Sequence, residues 1–503
     1  MKFNEYKHLD LTKIAEEILA FWKAANIFEQ SITSREGAIP FVFFEGPPSA
    51  NGVPGIHHVM ARSIKDIFCR YKTQKGFQVK RKAGWDTHGL PVELGVEKEL
   101  GITKEDIGKK ISVEDYNKAC KEAVMRYTDI WNDLTEKIGY WVDMEDPYIT
   151  YKPKYMESVW WLLKQLYNKQ LLYKGYTIQP YSPKAGTGLS SHELNQPGCY
   201  RDVSDTTVVA QFKVKALAAA ASKALGNPTA PIHILAWTTT PWTLPSNTAL
   251  AVGKEIEYVL VKTYNQYTFE PITIIIGKPL LAKQFGKKFV EGDAAALAAY
   301  TPESKTIPYQ IIGECKGADL VGTTYEQLIP WCTPAENPTE AFRVIAGDFV
   351  TTDDGTGIVH IAPTFGADDA RVAKEYGVPP MLVKDAHGNL IPLVDLQGKF
   401  ITGHNIPEAF AGKYIKNEYY DAGQAPEKSW DVSLAILLKE ENKAFKVEKY
   451  VHSYPHCWRT DKPVLYYPLD SWFVRVTDFK ERMFDLNETI NWKPKATGEG
   501  RFG

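Results

Sequence analysis

A strand, a turn rich in glycine and proline, and a helix follow one another from residue 41 to residue 71, and this order constrains the fold more than any other feature. The segment FVFFEG, from Phe41, has the composition of a strand, and PPSANGVPG then interrupts regular structure. Apolar residues from Val59 to Tyr71 recur at steps of three and four, which predicts a helix that begins at His57 or His58. A strand that leads through a turn into a helix is typical of an α/β domain.

The pattern changes twice along the rest of the chain. Residues 9–30 predict a capped amphipathic helix, and residues 113–173 are again helical in pattern. After Tyr200 the segments become β-like, and the candidate strands are TTVVAQFKV, PIHILAW, TALAV, EYVLVKTY, PITIII and TGIVHIA. The alanine-rich KALAAAASKALG interrupts them and is interpreted as a helical insertion on the surface. Helical and mixed character returns near residue 430, so an α/β domain split by a β-rich insertion is predicted.

Size and charge limit the classes of protein to which this chain can belong. At 503 residues it is too long for one core of ordinary size, and two or three domains are expected. The formal net charge of -2 excludes the general basic field that drives nonspecific nucleic-acid binding, so an RNA partner must bind through local patches. The run from Lys72 to Lys82 is one candidate patch, and a solvated basic loop is an equally good interpretation of it.

Cysteine usage and apolar runs predict the compartment. The six cysteines form no C-x-x-C pair, which argues against a disulfide framework and against a self-evident zinc site. The N-terminus carries charges where a signal peptide needs an apolar stretch, and no apolar run of about 18 residues occurs elsewhere. We expect a soluble, monomeric protein of the cytoplasm without membrane association.

The turn from Gly46 to Gly55 is a candidate phosphate site. It lacks bulky side chains, and the helix that follows presents backbone N–H groups and the positive end of its dipole to it. His57 and His58 can donate hydrogen bonds to a phosphate whose charge grows in a transition state. A glycine-rich turn before a helix is a weak signal, and two adjacent histidines in isolation are more often surface or packing residues.

The surrounding string, FFEGPPSANGVPGIHHVMARSIKDIFCRYKTQKGFQVKRKAGWDTHGLPVE, resembles the first signature block of the isoleucyl, valyl and leucyl class I aminoacyl-tRNA synthetases. The resemblance implies a Rossmann-like parallel-sheet catalytic domain that binds ATP with Mg²⁺. It implies ATP contacts from Gly46, Asn51, Gly52, Gly55 and His58, and an amino-acid pocket lined by Pro47, Asp86 and His88. A carboxylate at Asp86 is a sensible partner for the ammonium of the amino acid.

The chain departs from this family in its catalytic tetrapeptide. The family pattern is His-x-Gly-His, whereas Gly55, Ile56, His57 and His58 stand here, so the first histidine is lost and the glycine is replaced. We expect His58 to keep the catalytic role, with His57 as the alternative. No KMSKS loop occurs, and the glycine-rich tail GEGRFG suggests truncation inside a domain. This fragment is therefore predicted to form no aminoacyl-adenylate at a useful rate.

Distant strings form a second candidate site. AWTTTPWTLPSNTALAV places Thr238, Thr239 and Thr240 at a strand end, followed by Trp242, Thr243 and Asn247. DDGTGIVHIAPTFGADDARVA supplies His360, Asp368 and Asp369. Taken alone, the first string is a threonine-rich strand edge and the acids are an ordinary helix start.

Together the strings resemble the insertion that edits mischarged tRNA in the same synthetases, and TTTPWTLPSN is the isoleucyl version of the motif. Editing is needed because one methylene contributes little to discrimination between isoleucine and valine. The resemblance implies that Asp369 holds the ammonium of a mischarged valine and that Asn247 helps to hold the terminal adenosine of the tRNA. Thr239, Thr240 and His360 are expected to bound the side chain or position the hydrolytic water, in a pocket that includes Thr238 and Trp242. An oriented water suffices for an activated ester.

The resemblance also predicts the domain limits. They are an N-terminal helical extension at 1–40, the first half of the catalytic domain at 41–199, the editing insertion at 200–425, and a return to the catalytic domain at 426–503.

Many family members hold a structural zinc between C-x-x-C pairs that flank the insertion. The matching segments here read QPYSPKAGTGL and HSYPHCWRTDKP, so Cys457 alone survives of the pairs. One thiolate with His452 and His456 does not complete a tetrahedral site, and we predict no tightly bound zinc.

The leading hypothesis is a truncated isoleucyl enzyme that acts on ATP, isoleucine and the tRNA for isoleucine, and that as a fragment is competent at most for editing. A valyl enzyme is the first alternative, which the TTTPWT string disfavours. A non-catalytic tRNA-binding remnant is the second. Retention of Thr239, Thr240, His360 and Asp369 together argues against such a remnant, because it has no need of them.

Overall fold

The computed structural model describes Glu5 and residues 8–502. Residues 1–4, 6, 7 and 503, which belong to the predicted segments 1–40 and 426–503, lie outside the described residues. The chain divides into two compact units. Unit 1 is Met1–Tyr173 with Phe473–Gly503, and unit 2 is Lys174–Trp472.

Unit 1 is built on a parallel sheet. Its strands lie in the order β1 (Pro40–Phe44), β2 (Gln78–Trp85) and β3 (Asp143–Ile149), with Phe41 opposite Val79 and Lys82 opposite Asp143. The helices are α1 (Leu11–Ala24), α2 (Ile27–Thr33), α3 (Ile56–Gln74), α4 (Leu90–Leu100), α5 (Val113–Val124), α6 (Thr128–Lys137) and α7 (Pro153–Asn168). Residues 473–503 add helices at Lys480–Glu488 and Lys495–Thr497. Helix α3 connects β1 to β2, as a parallel pair requires, so the predicted α/β fold with a parallel sheet is confirmed.

The single helix predicted over residues 9–30 is wrong, because the chain forms α1 and α2 there. Asp10 caps α1 by accepting a hydrogen bond from the backbone of Lys13 at 3.1 Å. Asn26 then takes a left-handed conformation with φ of 50°, which ends one helix and starts the next. The apolar period continues across this break, so the period alone does not reveal it.

The prediction of helix throughout residues 113–173 is also wrong, because β3 lies inside that range. Its sequence, DMEDPYI, has no alternation of apolar and polar residues, and its extended form depends on pairing with β2. Gly84 of β2 lies opposite Tyr148, and a Cβ atom at position 84 would be 2.3 Å from the tyrosine ring. A partner strand that is distant in sequence therefore determines this segment.

Unit 2 is rich in strands, as predicted. They are β4 (Leu172–Ser182), β5 (Thr187–Gly188), β6 (Tyr200–Ala216), β7 (Ile232–Thr238), β8 (Ala249–Val252), β9 (Glu257–Tyr264), β10 (Pro271–Gly277), β11 (Phe289–Glu291), β12 (Ile307–Lys316), β13 (Thr324–Tyr325), β14 (Arg343–Ala346), β15 (Ile358–Ile361), β16 (Leu382–Lys384), β17 (Leu390–Pro392), β18 (Ala444–Pro455) and β19 (Leu465–Val474). The helices are α8 (Ser191–Leu194), α9 (Ala219–Ala224), α10 (Leu281–Phe285), α11 (Ala294–Ala298), α12 (Gly317–Leu320), α13 (Ala367–Glu375) and α14 (Trp430–Glu440).

The large sheet of unit 2 closes on itself. Its order is β11-β12-β9-β10-β7-β15-β8-β14-β13-β6-β18, and β6 also pairs with β7. The strands from β7 round to β6 therefore form a closed barrel whose interior holds a large apolar core, which includes Phe212, Ile234, Leu250 and Val344. Smaller sheets have the orders β16-β17 and β19-β4-β5.

The alanine-rich helix α9 is not the surface insertion that we predicted from the sequence. Ala221 is fully buried, and Leu225 packs into the barrel core. A Cβ atom at Gly313 of β12 would come within 3.3 Å of the Leu225 backbone. The alanines let the helix approach the sheet closely, and helix propensity alone does not tell which face is buried.

None of the described helices has the length and apolar character that a membrane crossing requires.

Candidate functional site

The loop from Gly46 to Gly55 joins β1 to α3 in unit 1, and other elements fix its shape. The Trp131 indole donates to the carbonyl of Gly52 at 2.8 Å, and the Tyr127 backbone donates to that of Ala50 at 3.1 Å. On the other side, the Asp86 backbone donates to the carbonyl of Pro48 at 2.9 Å. The loop is therefore held in one shape through its backbone, and side chains such as that of Asn51 remain exposed.

His58 closes the start of α3. Its Nδ1 accepts a hydrogen bond from the backbone N–H of Gly55 at 2.9 Å, and its ring packs edge-on against Trp131. Burial, with His57 and Arg62 nearby, lowers the pKa of His58 below its ordinary value. An imidazole that is neutral and accepts through Nδ1 carries its proton on Nε2. His58 therefore keeps one N–H donor for a ligand.

The ring of His57 lies against Gly55. A Cβ atom on Gly55 would be 2.8 Å from Cε1 of His57, so the imidazole of His57 covers the place from which a side chain at 55 would project. The rings of His57 and His58 are 3.8 Å apart. The helix start thus retains two imidazoles, although the order of residues differs from His-x-Gly-His.

The residues predicted to contact the amino acid lie at the carboxyl ends of β1 and β2. Pro47 follows β1, whereas Asp86 and His88 follow β2 and are exposed. His88 is fixed by Thr150, whose hydroxyl is 3.0 Å from its Nδ1. In open parallel sheets, ligands bind outside the carboxyl ends of the strands, so this placement suits a substrate pocket.

In unit 2, the two distant strings meet at one edge of the barrel. Strands β7 and β15 are parallel, with Val359 opposite Trp237. Their carboxyl ends therefore bring Thr238 close to His360, although 122 positions separate the two residues in the numbering. Thr239 and Thr240 continue from β7 and are partly buried.

Hydroxyl groups connect this edge into a network. The Thr238 hydroxyl accepts a hydrogen bond from the backbone of Thr240 at 3.1 Å. The Thr240 hydroxyl is 3.4 Å from the hydroxyls of both Thr238 and Thr243. Thr243 in turn donates to the carbonyl of Thr240 at 2.8 Å. The threonines therefore fix one another before any ligand binds.

His360 is held neutral inside this network. Because the Thr243 hydroxyl gives its proton to Thr240, it accepts from Nε2–H of His360 at 2.9 Å. Nδ1 of His360 faces the amide nitrogen of Asn247 at 3.4 Å. Burial lowers the pKa of His360 to about 4, and the residue is only 8% exposed. This geometry favours an orienting role through Thr243 over a role as a free base.

Asn247 and Trp242 lie deeper than the sequence suggested. Asn247 is 2% exposed, donates to the carbonyl of Ala249 at 2.8 Å, and accepts from the Tyr325 hydroxyl at 2.7 Å. Its amide therefore has partners within the protein, behind His360, and the contact with a tRNA adenosine stays a prediction. Trp242 is buried against Phe365. Sequence reasoning missed Tyr325, which no motif marks.

The adjacent acids Asp368 and Asp369 face different surroundings. Asp369 turns back over Gly366 and accepts a hydrogen bond from the Ala362 backbone, just beyond β15, at 2.8 Å. A Cβ atom at Gly366 would be 2.7 Å from its carboxyl carbon, so a larger residue there would displace the carboxyl group. Burial raises the pKa of Asp369 to about 6. Asp368 is exposed, near Arg371. Of the pair, Asp369 is therefore the one held beside the end of β15.

The residues present do not fit a zinc ion. His452 pairs with Asp205 at 3.1 Å, and His456 Nδ1 faces the carbonyl of Tyr454 at 3.0 Å. Within residues 8–502, no cluster of three or more histidine, cysteine, aspartate or glutamate side chains is arranged to hold a metal. The turn around Cys457 is closed instead by its own backbone, through a bond from Cys457 N–H to the carbonyl of Lys462 at 2.8 Å.

Comparison with known proteins agrees with these observations. The model of the family described as tRNA synthetases class I (I, L, M and V) matches residues 17–503. The isoleucine–tRNA ligases of Bacteroides fragilis and Porphyromonas gingivalis are 62% and 60% identical to the whole of this chain, which spans 44% of the length of each. That of Clostridium tetani is 45% identical over 99% of the chain, which spans 42% of its length.

Among solved structures, the crystal structure of GlLeuRS-CP1 covers 48% of this chain and 99% of its own, at 17% identity and a TM-score of 0.31, which is too low to support an argument. The family model and the curated relatives agree with the motifs around His58 and Thr240. The chain therefore belongs to the class I tRNA synthetases of the isoleucine, leucine, methionine and valine group.

Proposed function

We propose that this chain is part of an isoleucine–tRNA ligase and that unit 2 hydrolyses tRNA mischarged with valine. The names of its relatives and the TTTPWT string support isoleucine as the amino acid. In the whole enzyme the substrates are isoleucine, ATP with Mg²⁺, and the tRNA for isoleucine. We propose a cytoplasmic, monomeric protein.

The observation that carries the editing proposal is the convergence of Thr238, Thr240, Thr243 and His360 at one edge of the barrel, with Asp369 bonded to the backbone two residues beyond His360. Side chains this far apart in sequence form a network there that leaves one partly buried carboxylate beside it. We propose that Asp369 binds the ammonium of a valyl ester through charge-assisted hydrogen bonds.

The hydrolytic step needs no covalent intermediate. The ester of an amino acid is already activated, and a water held by hydroxyl groups near its carbonyl has a large entropic advantage over bulk water. We propose that Thr239 and Thr240 orient that water or limit the side chain, and that His360 acts behind them through Thr243, with which it shares a hydrogen bond. Rejection of isoleucine then follows from the size of the pocket.

We propose that unit 1 carries half of the activation site. The Nε2–H of His58 and the imidazole of His57 would bind the ATP phosphates, supported by the start of α3. Gly46, Asn51, Gly52 and Gly55 would contact ATP, and Pro47, Asp86 and His88 the amino acid. The domain limits at 1–40, 41–199, 200–425 and 426–503 are part of the same proposal.

The alternatives are weaker. A valyl enzyme is disfavoured by the names of the relatives and by the TTTPWT string. A non-catalytic tRNA-binding remnant has no reason to retain a threonine network and a buried carboxylate at one edge.

The test is deacylation by the 503-residue chain of isoleucine tRNA charged with valine or with isoleucine, with Asp369→Ala as the control. We expect selective hydrolysis of the valyl ester that disappears in the variant. Equal hydrolysis of both esters, or unchanged activity of Asp369→Ala, would contradict the proposal. No hydrolysis of either ester would favour the remnant or a need for the rest of the enzyme to deliver the tRNA.

A further inference from the structure

The short helix Pro241–Ser246 carries the editing motif, and its start has an unusual cap. The first N–H groups of a helix lack partners within it, and a threonine just before a helix commonly accepts from one of them through its hydroxyl. Thr240 holds that position, but its hydroxyl caps nothing. It is directed instead to the hydroxyls of Thr238 and Thr243. Another group must therefore satisfy the start of this helix.

That group is Asp431, which lies 189 residues further along the chain. Pro241 has no N–H, so Trp242 supplies the first donor of the segment. The Trp242 N–H donates to Oδ1 of Asp431 at 2.8 Å, in a buried setting. Asp431 is only 4% exposed and lies in the first turn of α14, where a carboxylate is favoured by the helix dipole. A neighbouring helix thus caps the editing segment.

A buried cation supports Asp431 from the other side. Lys416 Nζ is 3.9 Å from Oδ2 of Asp431 and 2.9 Å from Oδ2 of Asp205. Asp205 lies on β6, three residues from Val208, which pairs with Thr238. His452 also contacts Asp205, at 3.1 Å. The cluster therefore joins α14 to the strand beside the threonines.

The two carboxyl groups of this cluster, Asp431 and Asp205, differ in the direction of their pKa shifts. Burial raises the pKa of Asp431 to about 7, although Lys416 opposes the shift. Burial also acts to raise the pKa of Asp205, but Lys416 and His452 outweigh it and hold the pKa below the ordinary value. The distances make Asp205 the closer partner of Lys416, and Asp431 retains Oδ1 for Trp242.

We propose that Asp431 is a positioning residue of the editing pocket, which caps Pro241–Ser246 and so leaves the Thr240 hydroxyl to its bonds with Thr238 and Thr243. The inference rests on the proposed editing function and adds a residue to it. Without this cap, the Trp242 N–H needs a new acceptor, and the Thr240 hydroxyl is the nearest local candidate in the sequence. The threonine network at the edge of the barrel then loses its central member.

The test compares three variants of the 503-residue chain. Asp431→Ala removes the acceptor, and Asp431→Asn keeps an oxygen acceptor at the same place. Ser429→Ala is the matched control, because it removes the ordinary cap of α14, which accepts from Val432 at 3.3 Å, but leaves the bond to Trp242. Each variant is examined by hydrogen exchange of residues 238–246 and by kcat and KM for deacylation of valine-charged isoleucine tRNA.

We expect Asp431→Ala to accelerate exchange in residues 238–246 and to lower kcat by about tenfold or more with little change in KM, because Asp369 still binds the ammonium. Asp431→Asn should recover most of kcat, and Ser429→Ala should leave exchange in this segment at the wild-type rate.

Unchanged exchange in Asp431→Ala, an equal rise in Ser429→Ala, or no recovery in Asp431→Asn would overturn the inference. A wild-type chain that hydrolyses no valyl ester would contradict the proposed function instead, and exchange would then decide the role of Asp431 alone.

Discussion

The two candidate sites are built in opposite ways. In unit 1, backbone bonds fix the loop from Gly46 to Gly55, while His57, Asp86 and His88 remain exposed. The helix that follows is also open, and Ile56 at its start is 82% exposed. In unit 2, the side chains themselves hold one another, and His360 and Asn247 are buried. Substitutions are expected to act locally in unit 1 and through partners in unit 2.

The two sites also use histidine differently. His58 accepts from a backbone N–H and keeps Nε2–H for a ligand, whereas both nitrogens of His360 face protein groups. Both imidazoles have lowered pKa values, mainly because of burial. The shared pKa direction therefore does not mean a shared role, and the hydrogen-bond partners separate a group that is available to a ligand from one that orients its neighbours.

The largest effect is expected from substitution of Asp369, the partly buried carboxylate of the candidate site in unit 2. Asp369→Asn should lower deacylation of the valyl ester by about 100-fold or more, because the ammonium loses its charged partner. Asp368→Asn is the matched control, since that neighbouring side chain is exposed near Arg371. Initial rates of valine release measure both. Equal losses of deacylation in the two variants would contradict a specific role of Asp369 in binding the ammonium.

In unit 1, the contact of Gly55 with His57 is expected to be worth only about 0.5 kcal/mol, because the exposed His57 ring can move away from a new side chain. Gly55→His should destabilise unit 1, because the new side chain meets the His57 ring. Adding His57→Gly should remove this contact, although glycine within a helix costs about 1 kcal/mol. Calorimetric unfolding of the single and double variants gives the coupling. Additive effects would contradict the contact.

The pH dependence sharpens the role of Asp369. Its pKa of about 6 means that the carboxylate is mostly charged at pH 7 and mostly neutral at pH 5. Deacylation, corrected for the Asp369→Asn background, should fall about tenfold over that range if the charge binds the ammonium. Because this pKa is raised in the folded state, the group's effect on stability becomes less unfavourable as the pH falls. A flat corrected profile would exclude it as the anchor.

A smaller effect is expected at Tyr325. Tyr325→Phe removes the donor to Asn247, which leaves a buried oxygen unsatisfied and should cost about 1–3 kcal/mol of stability. Deacylation should fall only about fivefold, because His360 keeps its bond to Thr243. Thermal unfolding measures the loss of stability, and kcat measures the loss of deacylation. A loss as large as that of Asp369→Asn would show that Asn247 has a more direct role.

No effect is expected from treatment with a zinc chelator. Cys457 lies in a turn closed by backbone bonds, and His452 is committed to Asp205. Treatment with a chelator should leave the unfolding temperature unchanged, and metal analysis of purified protein should find no zinc. A stoichiometric metal, or a clear destabilisation by the chelator, would contradict this prediction.

Sequence patterns correctly predicted the helices, strands and turns whose conformation depends on neighbouring residues in the chain. The turn after β1, the helix α3 and the strand that leads to the threonines follow from short-range composition and period. The strand β3 did not follow, because its form depends on β2. The break at Asn26 did not follow either, because the apolar period crosses it.

The same limit applies to the candidate sites. The motifs pointed to Thr240, His360 and Asp369, since each lies in a recognisable string. They did not point to Tyr325 or Asp431, which act through contacts 78 and 189 residues away. No local sequence signal marks such partners. The burial of Asn247 likewise depends on tertiary contacts within the closed barrel and cannot be read from its neighbours in the sequence.

The most direct test of the account is binding of a non-hydrolysable amide analogue of valyl-adenosine to the 503-residue chain, measured by calorimetry. We predict one bound analogue per chain, loss of binding in Asp369→Ala, and unchanged binding in His58→Ala, whose side chain belongs to the other unit. Equal binding by the wild type and Asp369→Ala, or loss of binding in His58→Ala, would contradict the assignment of the valyl ester to the pocket of unit 2.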